Sequence, residues 1–244
     1  MSEIYEDPTI LAEYLLFHYG SEKEILLEEV SWPSGMRTAL DFAVRTPGNF
    51  SNKKCQRGLD LGCAVGRSTF EMSRCCERVI GIDFSQSFIR AANQLKEHGT
   101  LDYLRRDEAH ITTPLRATLP DAIDPAKTTF VQGDAMNLPK DLGEFDRVHA
   151  ANLLCRLSDP GLLLARFPDL VRSGGQLVLA TPCTWLENFT PSDKWPTGNT
   201  LDWLISHLSE SFDLMKTHDE PFLIRETSRK FQWTRSMLTV WNRL

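Results

Sequence analysis

The sequence predicts an α/β fold: a Rossmann-like, seven-stranded, mostly parallel sheet with helices on both faces, preceded by N-terminal helices. Three observations carry this reading. A short apolar strand, Gly58-Leu-Asp-Leu61, runs into a glycine-punctuated turn, Gly62-Cys-Ala-Val-Gly66, and then into a helix opening at Arg67. A second apolar run, Val79-Ile-Gly-Ile82, ends at Asp83, about 20 residues beyond the turn, which is the length of a βαβ unit. From there on, short apolar runs alternate with amphipathic stretches, the pattern of strands joined by crossover helices.

The elements follow in order. Asp7 supplies a capping carboxylate, Pro8 fits the first helical position, and Gly20 stops a helix that carries Ile10, Leu11, Tyr14 and Leu15. A second helix is expected over Met36 to Arg45, between Pro33 and Pro47. Strand Gly58 to Leu61, helix Arg67 to Cys75, strand Val79 to Ile82 and a Ser85-capped helix reaching to about Glu97 form the first βαβ unit. Residues 100–127, charged and with three prolines, read as an insertion, in part a lid. Strands at Thr128 to Val131, Phe145 to Ala150 and Gln176 to Ala180 follow, with a helix near Gly161 to Phe167. A helix at Leu201 to Leu208 and strands near Phe212 to Thr217 and Ser236 to Trp241 complete seven strands. Residues 1–50 thus carry N-terminal helices ahead of the α/β alternation of 51–244, all within one domain.

Size and charge narrow the function classes. A chain of 244 residues holds one sizeable core. A net charge of −6 with both signs interspersed argues against nucleic acid as partner and favours a small or zwitterionic substrate. No apolar run nears the ~20 residues of a membrane span, and the acidic start Met1 to Asp7 is unlike a signal peptide, so a cytoplasmic location is expected. Six cysteines at 55, 63, 75, 76, 155 and 183 lack C-x-x-C spacing, so neither a zinc site nor a disulfide framework is expected. Cys63 and Cys183 fall at expected ligand-facing turns, although a small buried residue explains each equally.

In an open parallel sheet the ligand lies across the carboxyl ends of the strands. The turn after the first strand suits an adenosine-containing cofactor, because Gly62 and Gly66 let backbone N–H groups approach a ligand, and Asp83 is placed for ribose hydroxyls. A plain tight turn is the competing reading. The dinucleotide fingerprint G-x-G-x-x-G is broken by Ala64 and Arg67, which disfavours a pyrophosphate and hence a dehydrogenase.

With Asp60, Gly62, Ala64 and Gly66 at its four positions, the segment resembles motif I of class I S-adenosylmethionine-dependent methyltransferases, [DE]-x-G-x-G-x-G, departing only at Ala64. The resemblance implies a last strand antiparallel to the rest and N-terminal helices that cover the cofactor. Gly133-Asp-Ala-Met-Asn-Leu-Pro139 is similar to the family's G-D-A-x-x-L-P segment, which implies that Asp134 and the backbone N–H of Ala135 meet the adenine. Phe84 follows the ribose-binding Asp83 and joins the cofactor set. Asn152, after the fourth strand, sits where the family faces the methyl group, where its amide can hold an acceptor nitrogen or the cofactor; a solvent-exposed turn asparagine is the alternative.

Further segments resemble one family more narrowly. Leu11 to Gly20, Ala151 to Leu157, Thr181 to Glu187 with Thr190-Pro191, Pro221 to Glu226, Arg229 to Trp233 and Thr239 to Trp241 together look like the methyltransferases of ovothiol biosynthesis, which methylate a ring nitrogen of 5-thiohistidine (4-mercaptohistidine). The resemblance is weakest over 100–127. It implies an amino-acid acceptor and a functional partnership with separate sulfoxide synthase and lyase enzymes. The synthase's iron-binding histidine cluster is missing from this sequence.

A thiohistidine presents a flat ring, a thiolate, a carboxylate and an ammonium, which call for aromatic walls, an arginine fork and acidic or amide partners. Tyr14, Tyr19, Arg156, Trp185, Glu187, Arg225, Glu226, Lys230 and Trp233 are the candidate acceptor residues, with Asn152 and Tyr14 expected to steer the reacting nitrogen and no dedicated strong base. Core packing competes as a reading of each tryptophan, and a surface charge pair as a reading of Arg225 with Glu226. Two other functions remain in view: methylation of a different small acceptor, and a module that binds the cofactor without turnover.

Overall fold

The computed structural model describes residues 3–244; Met1 and Ser2, part of the acidic start, lie outside the described residues. Helix α1 spans Pro8–Tyr19, with Asp7 accepting from the Thr9 N–H at 2.6 Å and Pro8 in the first turn, so the cap and the proline act as the sequence indicates. Single turns follow at Glu22–Ile25 (α2), Ser34–Arg37 (α3) and Phe42–Arg45 (α4). The expected helix over 36–45 is therefore two turns. Asp41 between them adopts a left-handed conformation, φ 57°, which no continuous helix accommodates.

The parallel core comprises β1 (Cys55–Leu61), α5 (Arg67–Met72), β2 (Cys76–Asp83) and α6 (Gln86–His98). The insertion is an ordered antiparallel hairpin, β3 (Thr100–Glu108) and β4 (Ile111–Thr118), turning at Ala109. Its alternation places Tyr103 and Ala117 inward against α6, a period-2 signal that the surrounding charges mask. Then come β5 (Thr128–Gln132), β6 (Phe145–Ala151), α7 (Pro160–Leu170), β7 (Val171–Thr181), α8 (Thr200–Leu208), β8 (Phe212–Arg225) and β9 (Phe231–Arg243).

Seven strands form one sheet in the order β5-β2-β1-β6-β7-β9-β8, with β9 antiparallel to both its neighbours, so the last strand is reversed as expected. Side chains alternate between its faces. Leu59, Leu61, Leu177 and Leu179 join Leu163, Leu164, Phe167 and Leu204 of α7 and α8 on one face, whereas Val178 and Ala180 meet Phe17, Phe42 and Phe222 on the other. Each fully buried leucine or phenylalanine contributes about 1.5–3 kcal/mol. The β8–β9 pair is longer than the sequence pattern indicates, running unbroken through 218–225 and 231–235. That extension decides which late side chains reach the site.

Candidate active site

A cavity of about 580 Å³ opens at the carboxyl ends of β1, β2 and β6 and beneath α1. One wall is the turn after β1, where Gly62, Ala64 and Gly66 all take left-handed conformations, φ 71°, 48° and 88°. A Cβ at Gly66 would sit 2.8 Å from the Phe130 ring, so glycine there is required by space as well as by φ. Ala64 occupies the same region at a cost of about 1–2 kcal/mol, and its N–H donates to Asp83 Oδ2 at 2.9 Å. The Asp83 Oδ1 accepts from the Ser85 N–H at 2.9 Å. Each carboxylate oxygen thus has one bond from the backbone and a lone pair left over, an arrangement that fits a ribose diol. Burial pushes this carboxyl up to about 6. Phe84, exposed, stands beside it on the cavity wall.

Asp60 lines the cavity while almost fully buried, its oxygens accepting from Thr69 Oγ1 at 2.6 Å and meeting His149 Nδ1 at 2.7 Å. His149 Nε2 in turn lies 3.1 Å from Thr46 Oγ1. Asp60 is therefore held rigidly on the cavity wall, and an acidic side chain there suits a sulfonium cofactor better than a phosphate. Gly133 and Ala135 line the cavity after β5, but Asp134 does not. The Asp134 Oδ1 closes its own turn on the Met136 N–H at 2.9 Å.

Asn152, after β6, also takes a left-handed conformation, φ 55°, and lines the cavity. Ser236 of β9 donates to its Oδ1 at 2.6 Å, which leaves the amide NH₂ as the group turned to a ligand. From α1, Tyr14 lines the cavity together with Ile10, Glu13, Phe17 and His18, one helical face. Burial pushes the Tyr14 hydroxyl far above its usual range, so it stays protonated. Arg156 lines the cavity, its guanidinium 4.7 Å above the Phe189 ring.

Several expected acceptor residues lie elsewhere. Along β8 the side chains of Phe222 and Ile224 face the cavity, as does Glu226 just past the strand's end, whereas Leu223 and Arg225 face away. Arg225 is 2% exposed, donating to the carbonyls of Glu24 and Ile25 at 2.9 and 3.2 Å and pairing with Asp107 at 3.2 Å. It is a structural tie, not a substrate fork. Across the ladder Trp233 pairs with Leu223 and shares its orientation, half exposed, with Nε1 on the Gly35 carbonyl at 3.1 Å. Tyr19 is outside the cavity, its hydroxyl on the Val65 carbonyl at 2.9 Å. Trp185 packs edge-on against Trp203 and donates to Thr200 Oγ1 at 3.1 Å, the core role that competed in the sequence. Glu187 is exposed and outside the cavity wall, and Lys230 is exposed and pairs with Glu226 at 2.5 Å.

The sequence reading missed Tyr5, Glu13, His18, Arg106 and His149, all on the cavity wall. The i, i+3, i+4, i+7 spacing of Ile10, Glu13, Tyr14 and Phe17 marks one face of α1 and could have found Glu13. Tyr5 is placed because Glu6 accepts from the N–H groups of Gln86 and Ser87, at the positive N-terminus of α6. Its ring then meets Tyr14 edge-on at 6.1 Å. Burial, with Arg67 nearby, holds His18 neutral, down at about 3, and its Nδ1 has no partner among the described residues. Cys63 lines the cavity, whereas Cys183 is exposed.

Residues 59–179 match the methyltransferase domain family. A ubiquinone biosynthesis O-methyltransferase of Bradyrhizobium diazoefficiens is 30% identical over 125 residues, 51% of this chain and 39% of its own. Its counterpart in Rhodopseudomonas palustris strain HaA2 is 29% identical over the same shares. The chain spans about two-fifths of the length of these relatives. Among solved structures, the N-methyltransferase NodS of Bradyrhizobium japonicum WM9, in complex with S-adenosyl-L-homocysteine, superposes with a TM-score of 0.53 over 97% of this chain and 99% of its own, at 15% identity. The YcgJ protein of Bacillus subtilis gives 0.55 over 82% and 97%, at 10% identity. These likenesses establish the fold. Over residues 59–179 the chain is thus similar to methyltransferase domains, and its cofactor is S-adenosylmethionine.

Proposed function

We propose that this protein transfers a methyl group from S-adenosylmethionine to an imidazole ring nitrogen of 5-thiohistidine, giving ovothiol A. The observation that carries the reading is one cavity in which the cofactor-binding turns share walls with aromatic rings and uncharged polar groups, Tyr14, His18 and Asn152. A flat, weakly basic heterocycle fits such walls. When bound, the cofactor supplies an electrophilic methyl on a sulfonium, so the chain's own task is to orient the acceptor and exclude water.

The thiolate of a thiohistidine is a stronger nucleophile than its ring nitrogen, so regiochemistry has to come from placement. Asn152 suits that task. With its carbonyl held by Ser236, its NH₂ donates to the sulfur and turns it from the methyl. The Tyr14 hydroxyl, kept protonated by burial, steers the ring nitrogen. The substrate comes from a separate sulfoxide synthase and lyase, and the reaction is cytoplasmic. For the described residues, no helix is long and apolar enough to cross a membrane.

The test is to incubate the protein with S-adenosylmethionine and either 5-thiohistidine or histidine, then locate any one-methyl mass gain by NMR. Ring-nitrogen methylation confined to the thiolated substrate supports the proposal. S-methylation overturns it, and no product on either imidazole leaves methylation of another small acceptor or binding without turnover.

A further inference from the structure

The roof of the cavity carries a charge set that the cofactor turns do not use. Glu13 comes from α1, Arg106 from β3 and Glu226 from the end of β8, and all three line the cavity. Arg106 Nη2 pairs with Glu13 at 3.3 Å, while its Nε is buried without a partner among the described residues. Burial first, then the neighbouring Glu226 charge, pushes Glu13 up to about 7. Both features mark an incomplete set: a guanidinium edge lacking an acceptor, and two carboxylates close enough to repel.

The elements that bring these groups together are pinned. Near the end of β3, Arg105 and Asp107 bond to each other away from the cavity that Arg106 lines. There Arg105 donates to the Glu24 carbonyl at 2.8 Å and to Asp107 at 2.8 Å. Asp107 also holds Arg225, and its carbonyl accepts from the Ser228 N–H at 2.9 Å. The insertion hairpin, α2 and the tip of the β8–β9 hairpin are thereby one unit. Arg225, unsuited to touch substrate, fixes the height of the strand that presents Glu226.

We propose that this roof is the binding site for the α-amino-acid end of the acceptor, with Arg106 holding its carboxylate and Glu13 and Glu226 its ammonium. A cation and two carboxylates side by side on one wall match a zwitterion better than a free acid or a free amine, and the exposed Lys230 pairs with Glu226 from outside the cavity. A carboxylate gives the Arg106 Nε its missing acceptor in fork geometry. An ammonium between Glu13 and Glu226 relieves their repulsion. The inference rests on the reading of the acceptor as a thiohistidine and adds what selects its backbone end.

The experiment compares Arg106→Gln and Arg106→Lys with wild type, measuring calorimetric binding of 5-thiohistidine and its decarboxylated counterpart 5-thiohistamine to the protein loaded with S-adenosyl-L-homocysteine, and methyl transfer separately. Wild type should bind the amino acid at least 20-fold more tightly than the amine. Arg106→Gln should abolish that preference by weakening the amino acid alone, with Arg106→Lys recovering part of it and homocysteine-cofactor affinity unchanged throughout. Equal losses for both ligands, no loss for either, or no binding of the amino acid to wild type would overturn the proposal. Arg106-dependent binding without methyl transfer would sink the proposed reaction while leaving this site standing; transfer without Arg106 dependence would do the reverse.

Discussion

Replacing Asp83 by Asn tests the cofactor end of the site at the atom where its geometry is most specific. Both carboxylate oxygens already accept a backbone N–H, from Ala64 and from Ser85. An amide satisfies only one of those donors and presents its own NH₂ to the other, so the side chain is both discharged and pushed out of register. A hydrogen bond to a charged acceptor is worth about 1.5–3 kcal/mol, which at ~1.4 kcal/mol per decade corresponds to about 10- to 150-fold weaker S-adenosylmethionine binding at pH 7.5. The raised carboxyl adds a second signature. With Asp83 titrating at about 6 in the unliganded protein, the acceptor form is nearly complete at pH 7.5 and falls to roughly a tenth at pH 5. Wild-type affinity should thus drop about tenfold over that interval as pH falls, because protonation removes the acceptor. The cofactor's own amino group titrates too, and the Asn variant controls for it. Isothermal calorimetry at pH 7.5 and 5, with thermal melts to verify folding, measures both effects. Binding by the variant within threefold of wild type, or parallel pH profiles for the two proteins, would refute the assignment.

Arg225→Ala should lower stability by about 2–4 kcal/mol through loss of a buried ion pair and two carbonyl partners, seen as a large drop in melting temperature, and any rise in the acceptor's KM should disappear when Arg225→Lys restores the melt. Gly66→Ala combines a left-handed φ with a 2.8 Å approach to Phe130, so a loss of roughly 2–3 kcal/mol, or about 5–10 °C in a chain of this size, is expected by calorimetry. His149→Leu strips one donor from the buried Asp60 and should destabilise by about 3 kcal/mol in urea melts; an unchanged midpoint would show that Asp60 is held adequately by Thr69 alone. Asn152→Asp should keep cofactor affinity within a few-fold but cut acceptor turnover at least tenfold, because a carboxylate cannot donate to the sulfur; single-turnover mass spectrometry would reveal this as lost rate or as a shift toward S-methyl product.

The two ends of the cavity were not equally legible. The cofactor end is local: Asp60, Gly62, Ala64 and Gly66 lie on one strand and its turn, Asp83 ends the next strand, and Ala135 and Asn152 follow two more, so position along the chain fixes position in space. The acceptor end is not. Composition marks 218–235 as chemically rich, but whether Arg225 or Glu226 enters the cavity depends on strand face, and a displacement of one residue reverses every assignment. Reading 218–235 as connecting segment left that face open; as continuous strand, Ile224 opposite Gln232 puts Glu226 inside and sends Arg225 and Trp233 outward. In the insertion, Arg105 and Asp107 are spent on neighbours and Arg106 lines the cavity. Charge density in a sequence therefore locates where an acceptor site can be built, and strand register decides which of those charges build it. On this chain the charged residues that line the cavity and those that do not are adjacent in sequence, Glu226 beside Arg225 and Arg106 between Arg105 and Asp107. That adjacency explains how a segment-level resemblance can name Arg225, whose side chain is outside the cavity, together with Glu226, whose side chain lines it.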